Sequence, residues 1–197
     1  MSISAQEVKA LRDKTGAGMM DAKKALVECD GDMEKAIDLL RAKGAAKAAK
    51  RDDKEASEGI IGTYMHHSGR VGVMVQLNCE TDFVANTDDF KGLAKDIAMH
   101  IAASNPVSVS TDSIDPDHIE REKAVYMAQL AEEGKPEAIR AKIVEGKIQK
   151  WFKDVALLEQ PFVKDPEKTI GTLVTEISAR TGEKIEVARF ARFSIGG

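Results

Sequence analysis

The sequence predicts an α+β fold: a three-helix module at the amino terminus, then a core in which helices pack on a three-stranded antiparallel sheet. Two observations carry this. From Arg70 to Cys79 the side chains alternate strictly, with Val71, Val73, Val75, Leu77 and Cys79 on one face and Arg70, Gly72, Met74, Gln76 and Asn78 on the other. Elsewhere the apolar residues recur at helical spacing between Gly, Pro and Asp punctuation. The predicted organisation is a docking module over 1–45, a charged helical linker over 46–57 and an α+β core over 58–197. The strands fall at about 59–67, 70–79 and 184–195.

Each element has a local reason. Ser4 and Glu7 have the spacing of a capping box, and Val8 and Leu11 follow on one helix face. Thr15-Gly16-Ala17-Gly18 breaks that helix. A second helix runs from about Met19 to Glu28 with Met19, Ala22, Ala25 and Leu26 inward. Asp32 caps a third, whose apolar positions are Met33, Ala36, Ile37 and Leu40, and Gly44 is its expected stop. Residues 45–57 lack a large apolar side chain but are rich in Ala, Lys, Arg and Glu, so the linker is expected to be helical. Ser68-Gly69 turns a hairpin between the first two strands. Thr87-Asp88 caps a helix with Phe90, Leu93, Ala94, Ile97 and Ile101 inward, ending near Ser104. Asp115 and Pro116 open the next helix, which stops at Gly134. Lys135-Pro136 starts another, expected to be interrupted at Gly146. Asp165-Pro166 is expected to open a helix with Ile170, Leu173, Val174 and Ile177 inward, stopping at Gly182. The closing strand carries Val187, Phe190 and Phe193.

Composition narrows the classes of function. The chain has 197 residues, 43% hydrophobic and 31% charged, with a net charge of −4. Its pI is about 5.7. An acidic balance argues against general nucleic-acid binding, and the linker charges have no interleaved aromatic for stacking on bases. Cys29 and Cys79 form neither a CxxC pair nor a zinc spacing and read as two reduced thiols. The stretch from Met1 to Glu7 has no basic start and no apolar core, so no signal peptide is expected, and no apolar run reaches the ~18 residues of a membrane span. The expected location is cytoplasmic.

Enzyme signatures are missing from the sequence. It holds no GxSxG elbow, GxxxxGK loop, GxGxxG fingerprint or HExxH helix, so neither a nucleotide loop nor a metal site is expected. His66 and His67 are adjacent in a predicted strand. They are expected to point to opposite faces and not to share a metal. No cofactor is implied.

The informative segment is Asn78-Cys79-Glu80-Thr81-Asp82-Phe83-Val84-Ala85. A Thr or Asp after a strand usually caps a helix, and a Phe is usually core. An exposed Phe83 beside Asp82 would instead be an anchor for a partner, worth ~1.5–3 kcal/mol once buried. Both readings fit the residues. Met19 and Met20, at a helix start, suit either core filling or a docking patch.

Three separated segments resemble the elongation factor Ts family. They are Leu11 to Leu26, which includes Arg12-Asp13-Lys14-Thr15-Gly16-Ala17-Gly18-Met19-Met20; Asn78 to Ala85; and Gln160-Pro161-Phe162-Val163-Lys164-Asp165 with Phe190-Ala191-Arg192-Phe193. The resemblance is to the bacterial family's short form and covers nearly the whole chain in order. It implies a guanine nucleotide exchange factor for elongation factor Tu in translation elongation, without catalytic residues of its own. It implies that the first 45 residues are similar to a ubiquitin-associated domain and dock on the nucleotide-binding domain of that partner. Thr81, Asp82, Phe83 and Val84 match the tip that disturbs the partner's Mg2+ site. Leu11, Arg12, Met19, Met20 and His66 match secondary contacts. The partner would be bound in its GDP and nucleotide-free forms. The chain carries one core half where longer relatives carry two, so a homodimer is implied. Position 22 is Ala where relatives often have Cys, and the last strand has no cysteine to link two copies.

Two other readings stay open on the residues alone. One is a small binding module whose helical unit captures a peptide or ubiquitin-like partner. The other is a small enzyme using Asp82, Glu80 or the histidines.

Overall fold

A computed structural model of the chain describes residues 3–196. Met1 and Ser2, the start of the stretch read above for a signal peptide, and the terminal Gly197 lie outside the described residues. The elements run α1 (Ala5–Thr15), α2 (Met19–Glu28), α3 (Met33–Ala49), β1 (Glu58–Met65), β2 (Val71–Cys79), α4 (Asp82–Ala85), α5 (Asp88–Ser104), α6 (Pro116–Glu132), α7 (Glu137–Val155), β3 (Pro161–Phe162), β4 (Asp165–Thr169), α8 (Ile170–Thr181) and β5 (Ile185–Ser194). The fold is α+β. Strands β1, β2 and β5 form an antiparallel sheet in that order, packed by helices, and β3 pairs with β4 in a separate two-stranded ladder.

The local signals act where the sequence puts them. Ser4 and Glu7 close a reciprocal capping box on α1. The Asp32 carboxylate accepts from the Glu34 and Lys35 N–H groups. Asp115 caps α6, with Pro116 in its first turn. At the hairpin, His66 N donates to Val71 O at 2.9 Å and Gly69 N to His66 O at 2.8 Å. Gly69 sits at φ +67°, a left-handed backbone that a side chain resists.

By its contacts the chain divides into two compact units. The first takes the residues up to Ile60, Leu77–Leu93 and Leu173–Glu186, and the second takes Ile61–Gln76, Ala94–Thr172 and the residues from Val187 on. In the first unit, Val8, Leu11, Ala22, Ala25, Leu26 and Ala36 form the buried cluster of the three amino-terminal helices. In the second, α6 and α7 share a smaller cluster of Leu130, Val144 and Ile148, flanked by Tyr126, Ile143, Trp151 and Phe152. There too, Gly62 of β1 lies against α5, where a Cβ would fall 2.9 Å from the Ala94 Cβ.

Three helix boundaries differ from expectation. α3 does not stop at Gly44 but continues to Ala49, into the stretch read as linker. The Ala-Lys repeat favours helix strongly enough to carry it past one glycine. Gly44 serves instead for close approach, since a Cβ there would sit 3.0 Å from the Ala179 Cβ. Gly146 likewise does not interrupt α7, which is continuous from Glu137 to Val155. A glycine in a helix costs only about 1 kcal/mol against alanine, less than the burial of Val144 and Ile148 on either side contributes. Finally, Asp165 and Pro166 do not open a helix. Residues 165–169 are strand, with Pro161 paired to Thr169 and Phe162 to Asp165. The helix begins at Ile170, and the Thr169 hydroxyl accepts the Thr172 N–H at 3.1 Å.

Candidate functional site

The site begins where β2 ends. Cys79 is fully buried, and its Sγ donates to Thr81 O at 3.1 Å. Burial pushes the Cys79 thiol pKa up, with the nearby Glu183 charge adding to it. The chain then turns out of the sheet at Thr81, whose hydroxyl accepts from Val84 N and starts the single helical turn of α4. That turn divides its side chains cleanly. Val84 and Ala85 point inward, at 8% and 4% exposure, while Phe83 is 85% exposed. Asp82 is exposed beside it. Of the readings the sequence allowed for Phe83, burial in this molecule's own core is overturned. The helix-cap reading of Thr81 holds, and the two are compatible because capping and display use successive residues.

Two carboxylates clamp the base of this turn. Glu183 receives the Thr81 N–H on Oε2 at 3.1 Å and the Thr81 hydroxyl on Oε1 at 2.7 Å. Glu80 receives the Lys184 N–H at 2.6 Å and Arg51 Nη1 at 2.8 and 2.9 Å. The Lys184 N–H lowers the Glu80 carboxyl pKa most; burial pushes it up by less, and the Arg51 guanidinium lowers it further. Sequence reading missed Glu183 and Arg51 as partners of the tip. No local pattern signals a contact between residues 102 positions apart.

The other expected contact residues divide by burial. Met19, expected inward in its helix, is exposed at the helix start, as are Met20, at 63%, and Arg12. His66 is half-buried in the hairpin turn. Leu11 and Val84 need correction as contact residues. Leu11 is fully enclosed in the three-helix cluster, and Val84 faces the interior. Both are apolar residues on the inward side of a helix, so in the free chain they support exposed neighbours and are not displayed themselves. The histidine pair is corrected too. β1 ends at Met65, so His66 and His67 lie in the turn, where strand alternation no longer applies, and their rings are 4.1 Å apart. Among the described residues, no three His, Cys, Asp or Glu side chains gather in a way that could hold a metal ion. No helix among them is long and apolar enough to cross a membrane.

The fold and this site describe an α+β protein that displays an aromatic and a carboxylate on a braced turn at the end of a strand. The chain belongs to the elongation factor Ts family, whose family model matches residues 8–197, and with it to the factors of translation elongation. It is 56% identical to Elongation factor Ts of Desulfosudis oleivorans, covering 99% of this chain and 98% of that one. It is 56% identical to Elongation factor Ts of Desulforamulus reducens, covering 98% and 89%. With Elongation factor Ts of Desulfotalea psychrophila it shares 55% identity over the full length of both.

Proposed function

We propose that this chain is a guanine nucleotide exchange factor that speeds GDP release from elongation factor Tu by contact alone, with no catalytic residue of its own. The supporting observation is Phe83: a large apolar ring 85% exposed, on a turn braced from behind. Exposing such a ring forgoes the ~1.5–3 kcal/mol that burial contributes, and burial in a partner recovers it. Phe83, with Asp82 beside it, enters the partner near its Mg2+ site and favours a conformation in which metal and phosphate lose their fixed geometry. By reciprocity, GDP must weaken this chain's binding by the factor with which this chain weakens GDP binding. The docking surface is then residues 1–45, through Arg12, Met19 and Met20, with His66 as a further contact. Residues 46–57 link it to the core of 58–197. The site of action is the cytoplasm, where translation takes place.

Stopped-flow release of a fluorescent GDP from elongation factor Tu tests this reading. Phe83→Ala and Asp82→Ala should each slow stimulated release, and full stimulation by both variants would refute it.

Dimerisation belongs to the same proposal. In the second unit, Ile61, Met65, Met74 and Phe193 are exposed apolar residues on the sheet, and Arg189 Nε donates to Gln76 Oε1 at 2.9 Å beside them. Exposed apolar side chains grouped on one sheet face mark a surface for association, and a second copy presents the same surface. Sedimentation should show a dimer that Met74→Lys with Phe193→Glu converts to monomer.

A further inference from the structure

We propose that Glu183 is a positioning residue for the tip, fixing the direction in which Phe83 is displayed; this rests on the contact reading of Phe83 given above. Both Glu183 carboxylate oxygens are used on one residue, one for the Thr81 N–H and one for its hydroxyl. A two-point grip sets orientation as well as position. The gripped residue is the cap of α4, two positions before Phe83. Glu183 is itself held, since Ser178 Oγ donates to its carbonyl at 2.6 Å and its N–H reaches Thr181 Oγ1 at 3.4 Å.

The grip is returned from the other side. Glu80, just before Thr81, accepts the N–H of Lys184, just after Glu183. Two carboxylates thus cross between the turn ahead of α4 and the turn after α8, each holding the other's backbone. Arg51 Nη1 ties the Glu80 half to the end of the amino-terminal helical segment, and Lys184 Nζ donates to the Asp52 carbonyl at 2.9 Å. The role of this clasp is to order the turn before a partner arrives, so that less freedom is lost on docking.

The experiment measures stimulated release of fluorescent GDP from elongation factor Tu across a concentration series of the full chain. Glu183→Ala should lower the maximal release rate about tenfold while the chain stays folded by circular dichroism. Glu183→Gln keeps the size of the side chain and can still meet both Thr81 groups, its oxygen accepting the N–H and its amide N–H donating to the hydroxyl, but without the charge; it should lower the rate less than Glu183→Ala. Thr81→Val, which lacks the hydroxyl, should lower it also. The double variant Glu183→Ala with Thr81→Val should be no slower than the slower single one, because both remove the same grip. A merely structural role would lower the melting temperature and leave the rate per folded molecule unchanged. A full maximal rate in Glu183→Ala and Glu183→Gln, with Phe83→Ala impaired, would overturn the positioning role and leave the contact reading standing. Full activity of Phe83→Ala would remove the contact reading and this one with it.

Discussion

Arg51 Nη1 lies 2.8 Å from one carboxylate oxygen of Glu80 and 2.9 Å from the other. One cation proton donor is shared by a carboxylate that also takes the Lys184 N–H. Each part of this arrangement favours the ionised acid, so the Glu80 pKa is lowered from its ordinary value of 4.5. The unfolded chain therefore binds more protons than the folded one between the folded-state pKa and 4.5. The stabilisation is complete above that window and is lost as pH falls through it. Glu80→Gln should cost about 1 kcal/mol at pH 7, and the gap between variant and wild type in urea midpoints should narrow at pH 3.5.

His100 gives a second pH dependence, at milder acidity. It is fully buried. Its Nε2 donates to Gln160 Oε1 at 2.9 Å, and its Nδ1 accepts the Val163 N–H at 3.4 Å. This pairing requires the neutral ring. Burial lowers its pKa from 6.5, only partly offset by the Gln160 contact. Folding is then favoured by this group above pH 6.5, and the benefit declines as pH falls from 6.5 to the folded-state pKa. The His100 ring resonances should titrate below 6.5 in the native protein, and thermal stability should fall between pH 6.5 and 5. A titration at or above 6.5 would contradict the buried neutral ring.

Gly62→Ala should destabilise the sheet by about 1–3 kcal/mol, the usual cost of overpacking. The added Cβ would lie 2.9 Å from both Cβ and O of Ala94 and 3.0 Å from its carbonyl carbon. Two of these are backbone atoms of a helix, which cannot swing aside as the end of a side chain can. Chemical denaturation measures the loss. Gly146→Ala is the contrasting case, because a Cβ there meets nothing within 4 Å. It should leave stability unchanged or raise it slightly.

Local chemistry determined much of this protein. The alternation of Val73, Val75, Leu77 and Cys79 became the buried face of β2, and Ser4, Asp32, Thr87 and Asp115 cap helices as their positions imply. Those outcomes depend on residues a few positions apart, so a short window of sequence contains their cause. The exposure of Phe83 is left open by the sequence, which fits a core and a displayed ring alike.

Tertiary structure decided the rest. It enclosed Leu11 in the three-helix cluster and set Gly44 against Ala179. It also joined Glu183 to Thr81 and Glu80 to Lys184. These outcomes depend on which surfaces meet after long stretches of chain have folded back. The energy that selects them comes from packing and hydrogen bonds between segments that no local periodicity relates.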